Sequence, residues 1–299
     1  MILITGFTGT SGMSFYKLLC EHNFQEKIRV LVRKTTNLSV FENTPLNLEF
    51  VMGDIDDSEF LKNAMNGVRC VFHIAAKDKS QAIVEAICSA PQKPFACMVS
   101  STIVYSNYYR TSYLKHDEAI YKEKFNKNMI RYVFIRPTMI FGSTRDKNIC
   151  IFTRWINKYR FFPIVKSGKA TIQPVHKDDL ALAYYRILMN TANLKQTEYI
   201  VSGKEELTLL ELFSAISDVL DKKTIFFNVP FCLAKLFFDT LYLLSFHRID
   251  FREKLDRLTE NRAYPHSAIA EELNYCPKPF KERLMQTLAE FPDYVSSKK

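Results

Sequence analysis

The chain is sparing with glycine, eight in 299 residues, and it has a single tryptophan. No C-x-x-C pair, H-x-x-x-H pair, G-x-S-x-G elbow or G-x-x-x-x-G-K-[ST] loop occurs. These absences argue against a zinc site, an α/β-hydrolase nucleophile and a P-loop. The seven cysteines (20, 70, 88, 97, 150, 232 and 276) are odd in number. They read as free thiols in a reducing compartment, so a cytoplasmic setting is expected. The most apolar stretch, Phe226 to Leu244, is interrupted by Pro230, Lys235 and Asp239. It falls short of the ~20 apolar residues a spanning helix needs. The opening Met1-Ile2-Leu3-Ile4 has no basic n-region, so no signal peptide is expected. Repeats and low-complexity runs are missing as well. A 47% hydrophobic and 24% charged composition excludes disordered, collagen-like and coiled-coil classes. With 41 Lys and Arg against 32 Asp and Glu, the net charge is +9. That sign is compatible with nucleic acid, an anionic membrane or a phosphorylated small molecule, and selects none of them.

What is present alternates. Ile2-Thr5, Ile28-Val32, Leu48-Met52, Val68-Ile74, Phe95-Ser100 and Tyr132-Ile135 are short apolar runs. Between them lie segments of helical period, Met13-Asn23, Ala82-Ser89 and the polar Asp117-Asn126. Near-continuous apolar strands alternating with helices predict an α/β fold with a parallel sheet covered on both faces. After about residue 145 the pattern changes. Ile149-Tyr159, Asp179-Met189 and Leu207-Leu220 read as helices, Glu198-Val201 as one further strand, and the proline-punctuated tail as mostly helical. This predicts a first domain over 1–145, completed by about 171–202, and a smaller cap from 146–170 and 203–299.

Three of the eight glycines, Gly6, Gly9 and Gly12, follow the first strand and open the first helix as Gly6-Phe7-Thr8-Gly9-Thr10-Ser11-Gly12. Residues without Cβ turn tightly and admit a pyrophosphate, and the helix N-terminal amides then point at its charge. The spacing is G-x-x-G-x-x-G, and the strand before it and helix after it predict a Rossmann-type, doubly wound dinucleotide site. Arg33 ends the second strand, 21 residues past Gly12, with no acid competing there. An arginine at that position favours the 2′-phosphate of NADP(H) over NAD(H); the alternative is a solvated charge.

These residues resemble the extended short-chain dehydrogenase/reductase superfamily, the NAD(P)-dependent nucleotide-sugar epimerase and dehydratase group. Gly53-Asp54-Ile55-Asp56-Asp57 resembles its adenine-contacting turn, and Val71-Phe72-His73-Ile74-Ala75-Ala76 its fourth strand. Ser100-Ser101-Thr102-Ile103-Val104-Tyr105 resembles the catalytic-serine strand and Arg136-Pro137-Thr138 through Gly142 the loop near the nicotinamide. Pro174 through Ala181 and the stretch from Leu258 to Pro277 are similar to the later segments, so the likeness spans nearly the whole chain. The resemblance implies that Thr8, Thr10 and Ser11 line the pyrophosphate loop and that Asp54 and Ile55 meet the adenine. It places Ala75 and Ala76 at the cofactor ribose, Pro137 beside the nicotinamide, and Ser101 at the reacting substrate oxygen. For Ser101 a plain strand-end hydroxyl bonded to nearby backbone is the alternative. A homodimer is also what the family suggests.

One departure matters. The family's chemistry rests on Tyr-x-x-x-Lys, and no tyrosine from Tyr105 to Tyr132 has lysine four residues on. The best-placed tyrosine, Tyr113, has Asp117 and Glu118 as its fourth and fifth neighbours. A carboxylate one helical turn away raises a phenol pKa. At an unperturbed ~10, about one phenol in a thousand is ionised at pH 7. Three readings follow: Tyr113 donates as a neutral general acid, with Lys115 or another basic group assisting; Asp117 or Glu118 is the base; or catalysis is lost and a nucleotide-binding protein remains, a redox-sensing or assembly subunit.

The leading expectation is an NADP(H)-dependent oxidoreductase or epimerase acting on a nucleotide-linked sugar by hydride transfer, with Ser101 and Tyr113 catalytic. No metal and no nucleic-acid partner is expected. Lys122, Lys124 and Lys127 read as a solvated helix face, and His176 as a structural hydrogen-bonder. Lys158-Tyr159-Arg160, beside Arg154 and Trp155, suits either a substrate diphosphate or plain solubility. Phe231 to Phe246 suits a membrane-interfacial helix, but the reading favoured is that it covers the substrate pocket or packs the cap.

Overall fold

The computed structural model describes residues 1–75, 80–106, 112–146, 148–245, 248, 250 and 252–295. The chain opens with β1 (Ile2–Thr5), α1 (Thr10–Glu21), β2 (Ile28–Val32), β3 (Leu48–Met52) and α2 (Ser58–Ala64). Next come β4 (Cys70–His73), α3 (Ser80–Ser89), β5 (Phe95–Val99), α4 (Ser112–Lys127) and β6 (Tyr132–Pro137). The middle holds β7 (Ile140–Phe141), α5 (Ile149–Lys158), β8 (Phe161–Val165), β9 (Thr171–Ile172), β10 (Val175–His176), α6 (Lys177–Met189) and β11 (Glu198–Val201). Last are β12 (Leu207–Thr208), α7 (Leu209–Val219), β13 (Ile225–Val229), α8 (Phe231–Leu244), α9 (Arg252–Arg257), α10 (Ser267–Leu273) and α11 (Phe280–Glu290).

Two compact units divide these elements. The first comprises Met1–Pro137, Lys177–Val201 and His266–Tyr275. Its seven strands form one parallel sheet in the order β11-β6-β5-β4-β1-β2-β3. The strand order reverses between β1 and β4, the switch point of a doubly wound fold. The apolar runs form the sheet because both faces are covered: β1 and β4 are buried along their whole length. One core under α2, α3 and α4 gathers Leu61, Val71, Ile83, Ile87, Phe125 and Phe134. On the other flank Phe15 of α1 meets Phe72 at 5.3 Å and Tyr184 of α6 at 5.7 Å. Asp57 caps α2 by accepting from the Glu59 and Phe60 amides.

The second unit comprises Thr138–His176, Ser202–Pro265 and Cys276–Lys299. The hydroxyl of buried Tyr294 donates to half-buried Asp146 at 2.5 Å, beside a core of Phe162, Phe213, Ile216 and Leu284. Burial raises the Asp146 carboxyl, with the Tyr294 hydrogen bond opposing. A capping box between Thr208 and Glu211 starts α7. His176 is buried, bonded to Thr287 Oγ1 at 3.1 Å and edge-on to Phe141. Arg154 donates to the Tyr294 carbonyl, so the basic cluster it begins is partly a structural tie. Besides helices this unit holds three two-stranded pairs, β10-β7, β12-β9 and the parallel β13-β8.

Three sequence expectations change. Helix α4 begins at Ser112 and not near Asp117, so Tyr113 lies within its first turn. Lys122 is not simply solvated: it pairs with Glu198 at 2.9 Å, and Lys124 pairs with Glu85 at 3.2 Å. Helix α8 leaves one apolar face exposed. Ala234 alone is buried, while Leu233, Leu236, Phe237, Leu243 and Leu244 are exposed. Phe246 lies outside the described residues.

Candidate dinucleotide site

The loop after β1 is shaped by two glycines that no other residue replaces. Gly6 has φ +75°, and a Cβ on it would stand 2.6 Å from the Ala75 amide nitrogen just beyond β4. A Cβ on Gly12 would stand 2.3 Å from the Gly6 carbonyl oxygen and 2.5 Å from that of Phe7. Both contacts are with backbone and so cannot be relieved by a side-chain rotation. Between them the Gly9 amide donates to the Gly6 carbonyl at 3.0 Å and closes the turn. Phe7 points inward, fully buried, stacked on Phe41 and edge-on to Phe15 and Tyr16. Gly9, as N-cap, has no side chain to satisfy the first-turn amides of α1, and Thr8, Thr10 and Ser11 stay partly accessible. Such a turn, with a helix N-terminus aimed over the switch point, fits a pyrophosphate.

The floor of this loop holds residues the sequence reading did not select. Tyr184 on α6 is wholly buried; its hydroxyl lies beside Ser11 and has no well-formed hydrogen-bond partner among the described residues. Burial pushes that phenol far up, with Ser11 opposing. Ser14 of α1 donates to Asp178 at 2.7 Å, which locks α1 to α6. At the ends of β1 and β4, Thr5 Oγ1 sits 2.7 Å from His73 Nδ1, and His73 Nε2 sits 3.1 Å from Ser80 Oγ. Burial pushes the His73 imidazole down to about 4, so it is neutral at pH 7. A four-residue strand of apparent core offers no sequence signal for such a chain.

Arg33 follows β2, exposed, and its guanidinium pairs with no described residue. Asp54 follows β3 at the same edge of the sheet and is exposed; its carboxylate accepts from the Asp56 amide at 3.1 Å. Ile55 is half-buried against the core beneath. Ala75 stands against Gly6, whereas Ala76 lies outside the described residues. Pro137 ends β6, its carbonyl accepting from Thr102 at 3.4 Å.

Ser101 lies just past β5, half-buried, and its Oγ accepts from the Ile103 amide at 3.2 Å. The backbone bond of the plainer reading is therefore present. It occupies an acceptor site only, and the hydroxyl proton remains available. Tyr113 is 59% exposed. Glu118 is not a free base: it accepts from Ser100 and pairs with Arg136 Nη1 at 2.7 Å, both side chains buried. Arg136 also reaches Glu198 at 3.0 Å, and its guanidinium lies 5.2 Å from the Tyr105 ring. Burial alone would raise Glu198, but bonds from Lys122 and Arg136 hold it at about 2. Tyr105, 39% exposed, donates to Glu198, and partial desolvation pushes its phenol up to about 12. Asp117, four residues after Tyr113, stands 3.6 Å from His116 Nδ1. No group of three potential metal ligands occurs among the described residues, and no helix there is long and apolar enough to cross a membrane.

The profile of the NmrA-like family matches residues 1–253. Subunit 9 of the NADH dehydrogenase [ubiquinone] 1 alpha subcomplex, mitochondrial, from Arabidopsis thaliana is 27% identical over 101 residues, 34% of this chain and 25% of that one. The chain spans between a quarter and about half the length of the curated relatives it matches. Among solved structures, the dTDP-glucose 4,6-dehydratase DesIV of Streptomyces venezuelae, with NAD and TYD bound, superposes with a TM-score of 0.72 at 20% identity. That likeness covers 98% of this chain and 97% of the other. The UDP-glucose 4-epimerase of Thermotoga maritima, with UDP-glucose, gives 0.70 at 16% identity over 99% of each chain. The expected doubly wound fold of the epimerase and dehydratase group is therefore the observed one.

Proposed function

The chain belongs to the NmrA-like family, and on that premise we propose that it binds NADP(H) and acts as an oxidoreductase or epimerase on a nucleotide-linked sugar. The observation that carries the reading is the Gly6–Gly12 turn, closed too tightly on backbone to admit a Cβ at either end. In this reading the Thr10 and Ser11 amides, with Thr8 and Gly9 beside them, hold the pyrophosphate. Arg33, free of any described acid, takes the 2′-phosphate, and Asp54 and Ile55 take the adenine. Ala75 and Ala76 flank the ribose, and Pro137 borders the nicotinamide. Bound there, NADP(H) supplies hydride chemistry. Ser101 accepts from Ile103 and directs its remaining proton to the reacting substrate oxygen. Tyr113 exchanges the proton with that oxygen. Residues 146–170 and 203–299 bind the sugar. The likeness in fold to the NAD-bound dehydratase and the UDP-glucose-bound epimerase supports the substrate class.

A second reading has a specific observation in its favour. Asp117 replaces the lysine that assists the tyrosine, and Glu118 is committed to Arg136. On that reading the protein holds NADP(H) without turnover, as a redox-sensing or assembly subunit. Incubation with NADPH or NADP and a panel of nucleotide sugars separates the two. Turnover that falls by orders of magnitude in Ser101→Ala, with cofactor affinity unchanged, supports the enzyme. Tight NADPH binding with no turnover in any combination supports the second reading.

A further inference from the structure

Unit 2 turns apolar side chains outward on two neighbouring stretches of sequence. The fourteen residues of α8 carry one cation, Lys235, and one acid, Asp239. At 100° per residue, Leu233, Leu236, Phe237, Thr240, Leu243 and Leu244 share one face. That face is the exposed one: Leu236 is 64%, Phe237 63% and Leu244 75% accessible. The opposite side of the helix holds Ala234, its buried residue. An amphipathic helix of a water-soluble surface has the reverse orientation.

The strand pair before it repeats the inversion. In the parallel β8-β13 pair the inward side chains are Phe162 and Ile164, and the outward ones are Phe161, Pro163, Ile225 and Phe227. A ribbon with one solvated face places polar residues there. Here Ile225 is 69% accessible, and the exposed rings of Phe161 and Phe227 lie 6.3 Å apart. Exposed Trp155 and half-buried Tyr159 continue this aromatic run, with centroids 4.9 Å and 5.9 Å along it. Lys166, at the end of β8, lies over the Phe231 ring at 5.0 Å and ties the ribbon to the start of α8.

The charge around this surface is mostly positive. Because β8 and β13 run parallel from Phe161 and Ile225, the cations before each strand gather at one end. These are Lys158 and Arg160, and Lys222 and Lys223, all exposed and without a described ion-pair partner, with Asp221 the acid beside them. Over the whole of unit 2, Lys and Arg outnumber Asp and Glu by seven, which is most of the chain's +9.

We propose that this face of unit 2 docks on an anionic lipid surface, with α8 lying in the plane of the interface. The helix, about 21 Å long at 1.5 Å per residue, is too short to span and suits an in-plane position. Leu, Phe and Trp enter the headgroup boundary while the lysines and arginines meet lipid phosphates. A second copy on the same patch would enclose two rims of like charge in one interface, which an anionic bilayer does not.

The test uses the full chain and vesicles of phosphatidylcholine alone or with about 30% phosphatidylserine, read by co-sedimentation and by the emission of Trp155. Trp155 is the sole tryptophan, so its shift reports this surface. Retention on the anionic vesicles only, with a blue shift of the emission, is expected. Lys222→Gln with Lys223→Gln should weaken the partition about 30-fold, at ~1 kcal/mol per cation. Leu236→Glu with Phe237→Glu should abolish it while the thermal melt stays within a few degrees. Four results would overturn the proposal: no retention on either vesicle, equal retention on both, retention that neither pair of substitutions lowers, or a dimer in solution that Leu236→Glu dissociates.

Discussion

Alanine replacements of the three loop glycines should form a graded series, because the structure gives each a different neighbour. At Gly9 the backbone is ordinary, φ −76°, and a Cβ would lie 3.1 Å from the Gly6 oxygen. A displacement of a few tenths of an ångström relieves that contact. At Gly12 the corresponding distance is 2.3 Å, to a backbone oxygen that moves only with the loop, by about 1 Å to reach ordinary contact. Overpacking of that kind costs about 1–3 kcal/mol. Moving the first-turn amides away from the phosphates converts that cost into affinity, so a loss of about 5- to 140-fold is expected at 1.4 kcal/mol per decade. Gly6→Ala adds to its 2.6 Å backbone contact a left-handed φ, worth a further ~1–2 kcal/mol. Calorimetric titration with NADPH should therefore rank the variants Gly9→Ala, Gly12→Ala, Gly6→Ala in order of increasing loss, each checked for a native circular dichroism spectrum. Gly12→Ala binding as tightly as wild type, or Gly9→Ala as the weakest binder, would refute the reasoning.

Arg33→Asp should weaken NADPH about tenfold or more and leave NADH nearly unchanged, since it removes one charge-assisted contact to a 2′-phosphate; equal losses for both nucleotides would remove Arg33 from the site. For His73, the unfolded side chain takes up a proton below about 6.5 and the folded one below about 4. Its contribution is thus complete above pH 6.5 and withdrawn as pH falls toward 4, by about 3 kcal/mol. Urea unfolding of wild type against His73→Gln at pH 7 and pH 4.5 should show the wild type losing more, and parallel losses would contradict the assignment. Arg136→Met strands the buried Glu118 carboxylate at a cost of about 3–5 kcal/mol. Adding Glu118→Gln should recover part of the melting temperature, and a purely additive pair would show that the two residues are not coupled.

The glycine turn was legible because glycine is scarce and three of eight fall in seven residues after an apolar run. Strand-like runs such as Ile2–Thr5 and Cys70–His73 were legible because both-sided burial leaves no polar alternation to confuse. Helix α8 was misjudged for the same kind of reason: periodicity fixes which residues share a face, but not whether that face is turned inward. The start of α4 was placed too late because Tyr113, Leu114 and His116 give no capping signal. The links from Arg136 to Glu118 and Glu198 span 18 and 62 residues, and no local pattern announces them. The carboxylate four residues after Tyr113, Asp117, was visible at once, since a single position carries it.

The most direct measurement is a calorimetric titration of the protein with NADPH and, in parallel, with NADH. Micromolar binding with NADPH preferred, both the affinity lost in Gly12→Ala and the preference lost in Arg33→Asp, is the predicted result. Binding of neither nucleotide by a folded protein would contradict the account.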